Sequence, residues 1–282
     1  MNGAGPQDLI FTLYGDFLLE RGEAVWVGSL IGMLEPLGLT ATNVRTLLSR
    51  MVSKGWLVAE REGRRSYYDV TRRGRALLEE GGSRIYDPPQ QTEWDGEWTL
   101  LAYSVPEERR SARDRLRPRL SWLGFGSLGN GLWATPHDVR ERVEAVASEL
   151  GVREYVEVFR GRHGGYSDPE RLVAQLWDLE ELNDRYDAFV ARHLPGCLAL
   201  KESGPDAVDP RDAFVLRFNL VHEYREFPLV DPFLPRPLQP KDWPGECALS
   251  LFRYYRDLLE APADRFVDSL LETPTRSGAA VT

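Results

Sequence analysis

Residues 40–70 constrain the fold of this chain more than any other stretch. They read TATNVRTLLSRMVSKGWLVAEREGRRSYYDV. Val44, Leu47, Leu48, Met51 and Val52 recur at the i, i+3, i+4, i+7, i+8 spacing of one helix face, so an amphipathic helix that buries this stripe is expected. The opposite face carries Thr42, Arg45, Thr46, Ser49, Arg50 and Ser53, with Lys54 in the last turn. Thr40 is suited to cap the helix, because its hydroxyl can accept from a free backbone N–H. Gly55 is expected to stop it, since glycine takes the left-handed conformation that helix ends favour. Beyond it, residues 56–61 and 65–70 flank a turn at Glu62-Gly63-Arg64, which predicts a hairpin tipped with arginine.

The preceding residues complete a unit around this stretch. Leu9, Ile10, Leu13, Tyr14, Phe17 and Leu18 form a first helical stripe that ends at Arg21-Gly22. Residues 24–27 are a short β-type run suited to pairing with the hairpin, and residues 29–35 a second helix closed by Pro36 and Gly38. Three helices followed by a hairpin is the order of a winged helix-turn-helix, whose third helix enters the major groove of DNA. Candidate DNA-contacting residues are therefore Thr40, Thr42, Asn43, Arg45, Thr46, Ser49, Arg50 and Lys54 on the helix. Arg61, Arg64, Arg65 and Tyr67 on the hairpin, with Arg72 and Arg73 beyond it, join them. Arg45 could read a guanine edge bidentately, and Thr42 and Asn43 could touch bases or phosphate. The hairpin arginines suit contacts that position without specifying sequence. Of Tyr67 and Tyr68, which alternate across the strand, one is expected in the core and the other against the DNA backbone. A solvated helix face would carry the same residue types; its setting favours DNA.

The overall charge balance opposes this, for the formal net charge is −9. Residues 40–75, however, hold nine basic and three acidic side chains, so this segment is near +6 and the remainder near −15. Phosphate responds to the local field, so an acidic body does not exclude a basic reading head.

The rest of the chain divides by composition. A helix over 71–80 is expected to end at Gly81-Gly82, which closes a DNA-binding domain at 8–86. The proline-rich, polar run Asp87-Pro88-Pro89-Gln90-Gln91-Thr92 opens a linker at 87–96. Residues 97–162 follow the order strand 98–105, helix 107–123, strands 124–128 and 132–135 about Gly129-Asn130-Gly131, helix 136–150 and strand 152–160. This βαββαβ order is that of a ferredoxin-like domain. Residues 166–272 form an all-helical domain, with helices at 168–194, 211–226, 246–260 and 263–271. Six prolines in 227–245 are expected to exclude helix and central strand there. The tail 273–282 is expected to be disordered. The fold class is thus α+β and multidomain.

The two cysteines, Cys197 and Cys247, lack disulfide-framework or zinc-finger spacing and suit a reducing cytoplasm. No apolar run approaches a membrane span, and no charged segment followed by an apolar run marks a secretory signal at the start. No pair of histidines has metal-ligand spacing, and no nucleophile elbow or Walker-type loop is present, so no cofactor is expected.

Three motifs together carry a family resemblance. They are LTATNVRTLLSRMVSKGWL in the head, WTLLAYSVP at 98–106, and Asp231-Pro232-Phe233-Leu234-Pro235 with Trp243-Pro244-Gly245. On these the chain resembles, over almost its whole length, the PaaX family of repressors of bacterial phenylacetate catabolism. The resemblance implies a homodimeric repressor that binds double-stranded operator DNA and leaves it when an aryl-CoA thioester, typically phenylacetyl-CoA, binds. The middle domain also resembles the CRISPR-associated ferredoxin-like nucleases through Tyr103-Ser104-Val105-Pro106-Glu107-Glu108-Arg109-Arg110 and Gly124-Phe125. Those nucleases carry a metal-binding aspartate after the tyrosine. Ser104 stands there in this chain, a poor ligand for a hard cation, so an inactive scaffold is expected.

An aryl-CoA effector directs attention to further residues. Arg160, Arg162 and His163 flank the glycine-rich stretch 161–165, which could cradle CoA phosphates; a flexible interdomain loop would have the same composition. His222 and Arg225 on one helix face, and Trp243 in the proline-rich stretch, could line an effector pocket. An interface histidine, and a wrap that pins the last helices, are the competing assignments. The run Arg109, Arg110, Arg113, Arg115, Arg117 and Arg119 is either a second phosphate patch or a solvated face with acidic neighbours, the commoner outcome. The expected function is a cytoplasmic, non-enzymatic repressor of an aromatic-acid operon. A metal-dependent nuclease using the middle domain and a winged-helix protein–protein adaptor are the alternatives.

Overall fold

The computed structural model describes residues 6–89, 93–165 and 168–271. The expected disordered tail and Gln90, Gln91 and Thr92 of the linker lie outside them. The chain mixes helices with two sheets and forms two compact units. One draws on residues up to Tyr86, on Arg192–Tyr224 and on the stretch from Ser250 onward; the other on Asp87–Ala191 and Arg225–Leu249. The helical segment 166–272 contributes to both.

In the first unit, helix α1 (Pro6–Leu13) continues into a π-helical turn, Tyr14–Leu18, and a 3-10 turn, Leu19–Arg21. Strand β1 (Val25–Trp26) leads into α2 (Val27–Leu34), and α3 (Ala41–Ser53) follows. Strands β2 (Leu57–Glu62) and β3 (Arg65–Val70) form the hairpin, and α4 (Arg72–Tyr86) closes the segment. The sheet is antiparallel in the order β1-β3-β2, with Val25 opposite Tyr68 and Trp26 opposite Tyr67. Glu62 pairs with Arg65, which leaves a two-residue turn, and Gly63 at its first position has φ of 59°. Glycine takes such a φ at no steric cost, and the turn then matches the strand twist. Four residues of the stripe that defines α3 are buried as its spacing requires: Val44 and Leu48 are fully enclosed and Leu47 and Met51 nearly so, while Val52 at its end is half-buried.

The helices that complete this unit come from late in the chain. They are the C-terminal part of α8 (Leu179–Ser203), α9 (Pro210–Tyr224) and most of α11 (Gly245–Leu270). Phe17 packs on Phe214 and Phe218 of α9 at 4.9 and 6.5 Å, and Ser29 Oγ of α2 donates to the Leu270 carbonyl at 2.6 Å. Asp16, inside the π-turn and fully enclosed, anchors the arrangement. Its carboxylate accepts from Arg217 Nε (2.8 Å), Arg256 Nε (3.0 Å) and Tyr86 Oη (2.8 Å). Arg217 Nη2 also donates to the Asp16 carbonyl at 3.0 Å. Burial, then the Asp16 charge, pushes the Tyr86 phenol well above its usual range.

In the second unit, strands β4 (Glu97–Tyr103), β5 (Gly126–Gly129), β6 (Leu132–Thr135) and β7 (Val156–Arg162) form an antiparallel sheet in the order β5-β6-β4-β7. Helices α5 (Arg110–Trp122) and α6 (Arg140–Glu149) interleave with them in sequence. One core joins Leu101 and Trp133 of the sheet to Leu116, Leu120 and Val143 of these helices. A second packs Trp98 and Ala134 on Val173 and Leu176 of α7 (Pro169–Leu176) and on Leu234 and Leu238.

Several helix limits differ from the expectation, for tertiary reasons. The pair Gly81-Gly82 does not end α4, which runs on to Tyr86, where Asp16, Phe252 (6.0 Å) and Arg253 hold the last turn. The helix expected at 168–194 is two. Trp177 is extended and stacks on Trp98 at 6.4 Å, and Asp178 restarts the helix by accepting from Glu181 N at 3.0 Å. The two helices expected at 246–260 and 263–271 are one, α11, which passes through Pro262 because Leu259, Ala263 and Val267 are fully buried along one face. α6 begins at Arg140, four residues late. The proline-rich stretch holds a helical turn, α10 (Phe227–Val230), and a 3-10 turn, Arg236–Leu238. Proline sits in the first turn of each, where a missing N–H breaks no helical bond.

Candidate nucleic-acid interface

The capping interaction at the start of α3 forms: Thr40 Oγ accepts from Asn43 N at 3.3 Å. With the apolar stripe facing inward, Thr40, Thr42, Asn43, Arg45, Thr46, Ser49, Arg50 and Lys54 are all exposed. Thr46 donates its hydroxyl back to the Thr42 carbonyl at 2.9 Å, and Lys54 Nζ donates to Gln7 Oε1 at 2.7 Å. Arg45 and Arg50 form no ion pair with the described residues. The side chains thus free to meet a partner are two guanidiniums flanked by hydroxyls and an amide, the donor set that reads base edges and phosphates.

On the hairpin Arg61, Arg64 and Arg65 are exposed, as are Arg72 and Arg73 in the first turn of α4. Arg61 Nε donates to the Gly63 carbonyl at 3.2 Å, while Arg64 and Arg72 form no ion pair with the described residues. Arg65 lies over the Trp26 ring at 5.0 Å and Arg73 over the Trp56 ring at 4.1 Å. Tyr67 and Tyr68 are both half-buried, so the expected division between core and surface is not drawn between them. Gln7, Trp26 and Trp56 carry no spacing signal that marks them as partners of the candidate interface residues. No spacing rule links Trp26 to Arg65; only the β1–β3 register brings them together.

The run on α5 behaves differently. Arg110 and Arg113 face Glu107 at 3.5 and 3.1 Å, and Arg119 faces Glu149 at 2.7 Å. Arg109 donates to the Gly151 carbonyl at 2.5 Å and Arg117 to Tyr103 Oη at 3.0 Å. Most of this positive charge is committed locally, and the solvated-face assignment fits it. Ser104 is exposed beside it, and Glu107 is spent on the two arginines. Among the described residues no group of three or more His, Cys, Asp or Glu is placed to hold a metal ion, and no helix is long and apolar enough to cross a membrane.

The candidate effector residues are divided between the two units. Arg160 is engaged by Glu97 (2.7 Å), Asp138 (3.2 Å) and Asp95, which makes it a strut of the sheet edge. Arg140 and Arg160 hold the Asp138 carboxyl down at about 2. Arg162 is exposed and His163 half-buried. Trp243 meets Tyr186 edge to face at 5.6 Å, and Tyr186 Oη donates to buried Asp231 at 2.7 Å. His222 falls in the first unit, where its Nδ1 lies 2.9 Å from Thr12 Oγ, and Arg225 falls in the second.

Three segments match described protein families in chain order: residues 6–74 the PaaX-like protein family, 91–173 the PaaX protein central Cas2-like domain, and 177–269 the PaaX-like protein C-terminal domain. The transcriptional repressor PaaX of Escherichia coli (strain K12) is 37% identical over 246 residues, which span 86% of this chain and 77% of that protein. The chain belongs to the PaaX family. Among solved structures this PaaX-family chain is similar to uncharacterized protein Rv0674 from Mycobacterium tuberculosis, with a TM-score of 0.57 and 26% identity over 93% of this chain and 96% of that one.

Proposed function

We propose that this PaaX-family chain is a cytoplasmic, non-enzymatic transcriptional repressor that binds operator DNA through residues 8–86. The carrying observation is the exposed face of α3, where Arg45 and Arg50 are uncommitted beside Thr42, Asn43, Thr46 and Ser49. Three helices with a small antiparallel sheet support naming this head a winged helix-turn-helix. The order β5-β6-β4-β7, with both helices packed on one face, supports a ferredoxin-like middle region at 97–162. A linker at 87–96 and a helical region at 166–272 complete the proposed organisation. The repressor acts as a homodimer on two half-sites spaced by about 34 Å or a multiple. It governs an aromatic-acid operon of the phenylacetate type, and an aryl-CoA thioester such as phenylacetyl-CoA releases it. Such release requires the ligand to bind the DNA-competent and DNA-free arrangements with different affinity.

The test is a mobility shift on promoter DNA upstream of neighbouring catabolic genes, with and without phenylacetyl-CoA. A retarded complex that dissolves with phenylacetyl-CoA, and is absent for the Arg45→Ala, Arg50→Ala double variant, is expected. A double variant that binds as well as the parent would count against the α3 face.

A further inference from the structure

The head contains two arginine–tryptophan stacks, one at each border of the hairpin. Arg73 lies 4.1 Å over the Trp56 ring and Arg65 lies 5.0 Å over Trp26, both within the range of a favourable cation–π contact. Both tryptophans are half-buried and both arginines exposed. Trp56 is itself held: its ring meets Phe11 edge to face at 5.9 Å, and its carbonyl accepts from Thr71 N at 3.0 Å. Trp26 is fixed by its register opposite Tyr67. Stacked on Trp56, Arg73 spends the flat face of its guanidinium and keeps its edge N–H donors for a partner. Arg64 and Arg72, next to the stacked pair in sequence, have no such shelf.

We propose that Trp56 and Trp26 are positioning residues, which aim Arg73 and Arg65 at the DNA backbone as sequence-independent phosphate clamps, while base reading is left to α3. This rests on the DNA-binding role proposed above. It predicts a division of labour that salt dependence can resolve. Each neutralised phosphate adds about 0.9 to the slope of log affinity against log salt.

The experiment measures binding of the full chain to a fluorescent duplex of arbitrary sequence by anisotropy, at several salt concentrations. Arg73→Gln is expected to lower the slope by about 0.9, so that a four-fold rise in salt costs about three- to four-fold less affinity than in the parent. Trp56→Phe, which keeps an aromatic face, is expected to keep the parental slope. Trp56→Leu is expected to shift it toward that of Arg73→Gln, with Trp26→Leu and Arg65→Gln forming the equivalent pair. Calorimetry of each variant confirms a folded head, and Trp56→Met, which also lacks an aromatic face, stands in if Trp56→Leu does not fold. A parent that binds while Arg73→Gln and Arg65→Gln keep its slope would overturn the clamps and leave the DNA-binding role standing. Loss of slope in Trp56→Phe as large as in Arg73→Gln would overturn the shelf. A parent that binds no duplex would overturn both the clamps and the role they rest on.

Discussion

Replacing Arg217 by Met should destabilise the first unit by about 3 kcal/mol, the lower end of the range for breaking a buried ion pair. The structure sets that choice. Arg217 is 3% exposed and Asp16 is fully enclosed, so neither charge can turn to water when its partner goes. Loss of the guanidinium removes the 2.8 Å contact to the carboxylate, the 3.0 Å contact to the Asp16 carbonyl and a 3.3 Å contact from Arg217 Nη1 to Asp264. Arg256 and Tyr86 still donate to Asp16, and Arg21 still faces Asp264 at 3.2 Å, which keeps the loss from reaching the top of the range. At roughly 2–4 °C per kcal/mol for a unit of this size, the midpoint should fall by about 6–12 °C. Scanning calorimetry is the assay, and the transition that reports the first unit should move. Asp16→Asn paired with Arg217→Met completes the cycle. The double variant should cost less than the two single changes added together, since each single change strands the other group. A midpoint for Arg217→Met within about 2 °C of the parent, or strictly additive costs, would refute the idea that this pair fastens α1 to α9.

Other perturbations test separate parts of the molecule. In Gly196→Ala the new methyl would approach Tyr255 Oη to 2.6 Å, and Tyr255 is buried, so thermal unfolding should report a loss of about 1–3 kcal/mol. Tyr186→Phe removes the donor to buried Asp231 and should cost the second unit about 1–3 kcal/mol by the same measurement. Asp138 is held down from 3.8 to about 2, mainly by its hydrogen bond from Arg140 and also by Arg160. Its contribution to stability is therefore present above pH 3.8 and lost as the pH falls toward 2; Asp138→Asn should flatten the acid-unfolding curve in that window.

What local sequence determines, and what it does not, separates cleanly in this chain. The stripe of α3, its Thr40 cap and the hairpin turn at Gly63 depend on residues within a few positions of one another, and all three take the expected form. So does the Asn130-Gly131 turn, where both residues carry positive φ. Helix ends differ from the local expectation where distant packing decides them: α4 runs past Gly81-Gly82, and Pro195 and Pro262 sit inside helices whose buried faces continue past them. The Asp16 cluster had no local signal at all, its arginines lying 201 and 240 residues away. The arginine–tryptophan stacks failed to register for the same reason. In the candidate interface, spacing identified which residues face outward, while only the fold separates the uncommitted arginines from the shelved ones.

That separation also resolves how a chain of net charge −9 can present itself to DNA. Counting arginines misleads, because α5 is as arginine-rich as the head yet gives most of its charge to Glu107, Glu149 and neighbouring oxygen atoms. A guanidinium already paired has little to gain from a phosphate, which must displace a carboxylate of the same sign. Arg45, Arg50, Arg64 and Arg72 pay no such exchange. The acidic remainder should repel the duplex everywhere except along this face, and repulsion that excludes wrong orientations raises specificity as attraction does. Neutralising Glu107 in Glu107→Gln would free Arg113 and leave Arg110 facing Asp114 at 3.7 Å, and it should strengthen salt-sensitive binding to arbitrary duplexes more than binding to the operator. Equal strengthening of the two would mean that orientation is set by α3 alone and that the acidic body plays no part in it.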